Sequence, residues 1–440
     1  MAARGMDRRQ FMKRAGGAMA VAGCPQIVSS SVLGRAGAIP PSETIAVGCI
    51  GVGGMGRGDM GGFMASPDAR VVAVCDVKQT AREAAKAQVD ASYGDNGCAA
   101  YNDFRELVVR GDIDAVSIAS NDHWHVLHAL AAVRAGKDVY VEKPLGMSIE
   151  EVLTLRGEIR RYGRIFQFGT QQRSMREFRH ACELVRNGRI GKLLTVEVGV
   201  HSGSAERSGL RTLVPEPVPA GFDYDFWLGP APEAPYVSKR VVNPHWFHIS
   251  DYSLGYVSGW GIHHIDIAQW GIGSELTGPV GIEGTATYPN DDALCDNPIT
   301  WDIAYAYGNG VTMRFTGSGP GLEGVRHGIT FQGTEGWVWV NRGAIETEPK
   351  SLLQETIGAN EIRLPVSANH QQNLLDCIRT RGNPVANIEV ASRSEMVCQL
   401  GWIAFQLRRK LAWDPDAEQF IGDPQANQML RRAMRAPWHL

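Results

Sequence analysis

The first third of the chain alternates short apolar runs with amphipathic stretches, and that order predicts a fold. Residues 45–50, 71–74, 115–119, 138–142 and 165–168 read as strands. Helix patterns fall at 80–91, 102–110, 126–135 and 148–162, the third closed by Gly136. Strand and helix in regular succession predict a parallel, doubly wound sheet whose ligand lies at the carboxyl ends of the strands.

After Gly169 the pattern changes. A helix at 177–187, stopped by Gly188, leads into alternating strands at 194–200, 303–307, 311–316, 328–331 and 337–340, with Pro- and Gly-rich loops from His201 to Pro244. Helices return at 370–379 and 393–411, and the stretch after Trp413 carries little pattern. The predicted class is α/β: a Rossmann dinucleotide-binding domain over 39–170, then an α/β domain with a mostly antiparallel open sheet over 171–412. A C-terminal tail, 413–440, packs on both.

The first apolar run ends in Gly51-x-Gly53-x-x-Gly56 and opens a helix-compatible segment. In that context Gly51 permits a tight turn, Gly53 lets the backbone approach a pyrophosphate, and Gly56 lets helix and sheet pack closely. Met55 lies inside the same loop and joins the cofactor contacts. The second run ends at Asp76, 20 residues beyond Gly56, where a carboxylate accepts hydrogen bonds from the adenosine ribose and repels a 2'-phosphate. The expected cofactor is NAD rather than NADP.

Composition narrows the alternatives. The chain has 440 residues, 44% hydrophobic and 21% charged, with a formal charge of -3, and no basic stripe of the kind nucleic-acid binding needs. No apolar segment approaches the ~18 residues that span a bilayer. The eight cysteines include no CxxC pair, and Cys49 and Cys75 fall inside strands as small core residues. The N-terminus carries a different signal. Arg8-Arg9, Phe11 and Lys13, followed by small apolar residues over 15–23, resemble a twin-arginine export signal, which sets residues 1–38 apart and predicts a periplasmic or exported protein. Val21-Ala-Gly-Cys24 resembles a lipoprotein box that would anchor the chain through Cys24, whereas Ala36-Gly-Ala38 fits ordinary cleavage. The short apolar region before Cys24 favours the second.

The glycine loop, Asp76, Gly136-Lys-Asp-Val-Tyr-Val-Glu-Lys-Pro144 and Gly261-Ile-His-His-Ile-Asp266 together resemble the Gfo/Idh/MocA family of NAD(P)-dependent oxidoreductases. The resemblance covers essentially the whole chain after the signal, and implies oxidation or reduction of sugars, inositols and related compounds by homodimers or homotetramers. Glu142-Lys143-Pro144 is its most specific element. A lysine at a strand end can hydrogen-bond a substrate hydroxyl and stabilise the developing alkoxide; a cis Lys143–Pro144 bond fits such a turn. The resemblance assigns the acid/base role to His263, whose carboxylate partner four residues earlier is here Gly259. Asp251, Tyr252, His248 or His264 are the candidates to replace it.

The same resemblance places the stretch with Ser120, Asn121, His123 and His125 around the nicotinamide ribose, and Glu142 and Lys143 join the cofactor contacts, the lysine above the nicotinamide. Asp122, His123 and His125 are also potential metal ligands, but hydride transfer needs no metal and none is expected. Gln172 and Arg173 follow the last parallel strand, and His264 and Asp266 share the helix of His263; with Trp246 and Tyr252 from the aromatic loops they are the expected carbohydrate contacts. Two rival readings share the fold: an NAD-dependent glycosidase working by transient oxidation and elimination, which Lys143 argues against, and a sugar-binding protein without turnover, which Gly259 supports. Twin-arginine export moves folded proteins, so the expected dinucleotide is loaded beforehand and tightly held.

Overall fold

The computed structural model describes residues 43–201, 214–289, 293–318 and 326–440. The twin-arginine residues Arg8, Arg9, Phe11 and Lys13 and both processing sites, at Cys24 and at Ala36 and Ala38, lie outside them.

The first half is strand–helix alternation: β1 (Ile45–Ile50), α1 (Gly54–Met64), β2 (Ala69–Cys75), α2 (Gln79–Tyr93), β3 (Ala99–Tyr101), α3 (Phe104–Val108), β4 (Ala115–Ile118), α4 (Asp122–Arg134), β5 (Asp138–Val141), α5 (Ile149–Tyr162) and β6 (Phe166–Phe168). The six strands form a parallel sheet in the order β3-β2-β1-β4-β5-β6. Every residue of β4, β5 and β6 is buried, the two-sided covering that makes parallel strands read as unbroken apolar runs. Strand order reverses between β1 and β4, which opens a crevice at their carboxyl ends.

The second half contains α6 (Arg176–Arg186), β7 (Leu193–His201), α7 (Tyr224–Leu228), α8 (Tyr256–Gly259), α9 (Gly261–Ile272), β8 (Pro279–Thr287), β9 (Thr300–Tyr307), β10 (Thr312–Ser318), β11 (Gly328–Gly333), β12 (Trp337–Asn341), β13 (Ala344–Glu348), α10 (His370–Thr380), α11 (Ile388–Leu407), β14 (Leu411–Asp414), β15 (Gln419–Phe420) and α12 (Pro424–Gln428). Nine strands make a second sheet, β13-β12-β11-β7-β10-β9-β8-β14-β15, antiparallel except where β10 runs beside β7. Helices α6, α9 and α11 cover one face. On the other, Glu197 and Arg314 stay exposed, and Arg314 grips Asp302 through two bonds of 2.8 and 2.6 Å.

Several boundaries differ from the sequence expectation. Helix α4 begins at Asp122, not at 126, so the Asp-His-Trp-His stretch forms its first turn instead of a loop. Helix α11 runs from 388 to 407 rather than 393 to 411: the Asn387 side chain accepts from the Glu389 amide at 3.0 Å to start it, and Arg408 at φ 53° ends it. Leu411 then pairs with Ile282 of β8. Strands β3, β8 and β13 carry weaker apolar patterning than their neighbours and were not expected. The tail is ordered by specific contacts: Trp438 meets Trp124 edge-on at 4.7 Å, and Arg435 donates to the Gly229 carbonyl and to Asp225.

One buried ion pair joins the halves. Arg173, in the 3-10 turn Gln171–Ser174 after β6, meets Asp266 of α9 through two bonds, Nε to Oδ2 at 2.6 Å and Nη2 to Oδ1 at 2.8 Å. Their side chains are 2% and 1% exposed. The Ser394 hydroxyl of α11 donates to Asp266 Oδ1 at 2.7 Å, Arg173 reaches the Val385 carbonyl at 3.4 Å, and its guanidinium lies 4.9 Å from the Trp270 ring centre. Both residues were expected to contact substrate; both are spent on this internal clamp.

Truncating one partner strands the other charge in a dry interior. Arg173→Met is expected to cost about 3–5 kcal/mol in urea unfolding, and the double variant Arg173→Met/Asp266→Leu to recover most of that loss. A single variant with unchanged midpoint would remove the clamp's structural role.

Candidate functional site

Steric necessity builds the glycine loop. Gly51 has φ 78°, and a Cβ there would lie 2.5 Å from the Ser120 amide nitrogen. A Cβ on Gly56 would lie 1.8 Å from the Gly51 carbonyl oxygen, so the first turn of α1 can press on the loop only as glycine. Gly53 and Gly54 face open space, and no side chain caps α1. The helix therefore presents unspent amides to a cavity of about 470 Å³.

Gly51, Gly53, Met55, Asp76, Ser120, Asn121, His125, Glu142 and Lys143 all line that cavity. Asp76 also braces the loop, since Oδ2 accepts from the Val52 amide at 3.0 Å and Oδ1 from the Lys78 amide at 2.8 Å. Burial pushes its pKa up, against the pull of those two amides. A dinucleotide fits these groups: bare amides at a helix start, a carboxylate where the neighbouring strand ends, and a lysine at the far end. Of the expected cofactor residues, Gly56 and His123 do not line the cavity: Gly56 packs against the loop backbone, and His123 turns away. Its Nε2 sits 3.1 Å from the Trp227 carbonyl and its ring packs 5.2 Å from Tyr252, away from the cavity. Among the described residues no group of three or more ligating side chains is placed to hold a metal.

The opposite wall comes from the loops between β7 and α8. The Asp223 amide donates to the Val77 carbonyl at 3.0 Å, the Gln79 amide to the Gly221 carbonyl at 2.8 Å, and Lys78 Nζ to the Val241 carbonyl at 3.1 Å. Asn102 Nδ2 holds Asp223 Oδ2 at 2.8 Å. Val241, Val242, Asn243, Trp246 and Phe247 thereby reach over the cavity as a strap. In the sequence this stretch reads as loop, and its aromatic density is the one signal it carries.

Lys143 lies in the turn after β5, joined to Pro144 by a cis bond, with Nζ 5.8 Å from the Phe247 ring centre. Buried groups fix this turn. His125 faces the Pro144 carbonyl through Nδ1 at 2.7 Å and the Ser120 carbonyl through Nε2 at 2.9 Å, and Glu395 of α11 accepts from the Leu145 amide at 3.0 Å. Carboxyls held in low dielectric gather here. Burial raises Asp122 to about 8, offset in part by Ser253, whose hydroxyl donates at 2.6 Å. Burial and then the charge of Glu142 raise Asp59 to about 9, with Gln371 and Lys143 opposing. Glu142 itself, bonded to Gln171 at 2.6 Å and Tyr140 at 3.2 Å, is also raised by burial. Asp59, Asp122 and Glu395 were absent from the expected site; isolated acids in apolar context were the overlooked sign.

His263 opens α9 with 4% exposure, and Nδ1 has no hydrogen-bond partner. None of the four residues considered as a substitute for the missing carboxylate bonds to that nitrogen. The reason lies at Gly259, where a Cβ would fall 2.0 Å from the Phe247 ring. An aromatic ring occupies the space a carboxylate side chain would need. Burial, then the charges of Lys143 and Arg342, hold His263 well below its ordinary pKa, so the imidazole is neutral.

The other expected substrate contacts divide sharply. Trp246 lines the cavity. Tyr252 is fully buried and takes a bond from Arg240 at 3.2 Å. Gln172 and His264 are fully buried beneath the site. The Gln172 amide satisfies its surroundings in one orientation, donating to the His263 carbonyl at 2.7 Å and His264 Nδ1 at 3.3 Å and accepting from Arg342 Nε at 3.2 Å. Arg173 and Asp266 form the clamp described above. Helical spacing predicted that His263 and Asp266 share a face; it could not tell a face lining a chamber from one pressed on a neighbouring turn.

Residues 45–170 match the model of an oxidoreductase family's NAD-binding Rossmann fold, and 175–440 that of the same family's C-terminal alpha/beta domain. A glycosyl hydrolase family 109 protein of Shewanella amazonensis is 36% identical over 167 residues, 34% of this chain and 36% of that protein. Inositol 2-dehydrogenase 2 of Saccharopolyspora erythraea is 29% identical over 253 residues, 57% of this chain and 59% of that one. The chain thus matches less than two thirds of either relative. In fold it is similar to an aldose-aldose oxidoreductase of Caulobacter crescentus complexed with glycerol, with TM-score 0.62 at 17% identity over 84% of this chain and 99% of the other. A putative myo-inositol dehydrogenase of Sinorhizobium meliloti gives 0.59 at 19%, over 84% and 99%.

The raised Asp59 carboxyl has a consequence for stability. The folded protein keeps it protonated from the ordinary carboxylate range up to about 9, so folding takes up a proton and the contribution to stability is lost as pH rises through that window. Asp59→Asn, which keeps an acceptor for Gln371, is expected to gain thermal stability over wild type progressively between pH 5 and pH 8.5. A difference independent of pH would show that the carboxyl ionises normally.

Proposed function

The chain belongs to the Gfo/Idh/MocA oxidoreductase family, and from that premise we propose that it transfers hydride between NAD and a secondary alcohol or ketone of a sugar, glycoside or cyclic polyol. The observation that carries the reading is one continuous cavity from the glycine loop and Asp76 to Lys143. Nicotinamide, when bound, supplies the hydride chemistry; the chain supplies position and charge. Lys143 hydrogen-bonds the substrate oxygen and stabilises its developing negative charge. His263, neutral at neutral pH, takes the hydroxyl proton, with no carboxylate behind it. Asp76 favours an unphosphorylated ribose, hence NAD.

Retention of the cofactor and export belong to the same proposal. The strap from Gly221 to Phe247, tied to Val77, Lys78, Gln79 and Asn102, closes over the cavity. Such closure supports a dinucleotide loaded before twin-arginine export and kept through turnover. A periplasmic or exported protein, with or without a lipid on Cys24, follows from the N-terminal sequence. A homodimer or homotetramer joined through the open face of the second sheet would bring its Glu197, Asp302 and Arg314 rows together.

Protein purified without added nucleotide is expected to retain NAD through extended dialysis, identified by mass spectrometry, and to reduce it when mixed with a sugar panel, read at the NADH absorbance band. Lys143→Met and His263→Asn should each lower the rate about 10²- to 10⁴-fold while leaving the bound dinucleotide in place. Ready loss of cofactor on dialysis would end the captive-cofactor part alone. Release of nitrophenol from a nitrophenyl glycoside would favour the glycosidase; absence of reduced cofactor with every sugar would leave a binding protein.

A further inference from the structure

We propose that Arg342 is a specificity residue that reads a carboxylate on the substrate, making the preferred substrates acidic sugars such as hexuronates and their glycosides. This rests on the oxidoreductase reading above. Arg342 sits in the turn between β12 and β13, at the end of the second sheet that also carries His201 and His327. Helix α9 brings His263 and His264 to the same place.

The guanidinium is held at Nε and lies beside an indole ring. Its Nε donates to the amide oxygen of Gln172 at 3.2 Å, and Gln172 is itself fully buried and held by the His263 carbonyl. Its central carbon, Cζ, lies 4.7 Å from the centre of the Trp260 ring. Trp260 in turn packs edge-on to His263 at 5.5 Å and to His327 at 5.1 Å. No ion pair or side-chain hydrogen bond engages the two terminal nitrogens of Arg342 among the described residues. Acids nearby are already spent. Glu177 accepts from the Gly343 amide at 2.8 Å, and Glu142, whose charge Arg342 feels, is bonded to Gln171 and Tyr140.

A guanidinium held through Nε beside an indole ring, with its outer fork unspent, is organised in advance for a planar two-oxygen acceptor. Arg342 is exposed, so a ligand can reach it. Two of the imidazoles around it contribute no competing charge at neutral pH: burial holds His264 well below its ordinary pKa, and burial followed by His201 and Arg342 holds His327 at about 4. Arg342 and Lys143 are the two cations whose charges bear on His263 most strongly. Arg342 lies outside the residues lining the dinucleotide cavity and is tied to the His263 backbone through Gln172, so with Lys143 assigned to the reacting oxygen Arg342 takes a second, anionic group of a ligand that reaches His263.

The test uses the dinucleotide-loaded full chain and matched probes: methyl β-D-glucuronide, methyl β-D-glucoside and glucose 6-sulfate. Titration calorimetry is expected to show the glucuronide binding about 10- to 100-fold tighter than the glucoside. Arg342→Gln should bring that ratio near one, and Arg342→Lys should restore only part of it, because a point charge lacks the fork. In turnover the loss should appear in KM for the acidic sugar with kcat little changed. Equal binding of glucuronide and glucoside by wild type, a ratio unaffected by Arg342→Gln, or a preference for the sulfate ester over the carboxylate would each overturn the proposal. Tight glucuronide binding that depends on Arg342, without reduction of the cofactor, would support this site and count against the oxidoreductase reading. Equal oxidation of acidic and neutral sugars would do the reverse.

Discussion

The Arg173–Asp266 pair is the contact on which the geometry of the site depends. Arg173 follows the last strand of the parallel sheet, Asp266 sits one turn beyond His263, and Ser394 brings in the long helix α11. Fixing these three elements sets where His263 lies relative to the strand ends that carry Lys143. Two charges this deeply buried stabilise little over an apolar pair of the same shape. What they contribute is direction, because a bidentate pair tolerates little rotation of one helix against the other.

Around that fixed point the protein assembles carboxyls that cannot ionise freely. Asp59, Asp122, Glu142 and Glu395 all sit in low dielectric close to the Lys143 turn, each raised first of all by burial. Their hydrogen bonds come from backbone amides of the turn and from neighbouring hydroxyls and side-chain amides rather than from Lys143 Nζ. Lys143 Nζ is thus left to face the cavity, with an aromatic ring, Phe247, as its near neighbour.

Phe247 links the strap to the chemistry. It lines the cavity, lies 5.8 Å from Lys143 Nζ at its ring centre, and fills the space that a side chain at 259 would take. Glycine at 259 and the aromatic strap are one structural solution: the ring needs the missing Cβ, and the missing Cβ leaves His263 without a carboxylate. The strap's other end, bonded to the β2–α2 connection, closes the dinucleotide side of the same cavity. One segment thus covers both the cofactor and the reacting end of the site.

The sequence alone determined the parallel sheet, the glycine loop, Asp76 and the place of Lys143, because each depends on local spacing: apolar runs of strand length, glycines where a Cβ would strike backbone, an acid at a strand end. It also placed His263 and Asp266 on one helical face. Only the tertiary structure decided which way that face looks. Gln172, Arg173, His264 and Asp266 read as polar residues near a site, and all four are buried in the joint between the halves. His123 turned inward while His125 kept a place on the cavity, although they are two residues apart in the same first turn. The strap, Asp59 and Arg342 come from distant parts of the chain, and nothing in local periodicity records which distant segment will cover a strand end. That depends on packing, which is settled by the whole chain at once.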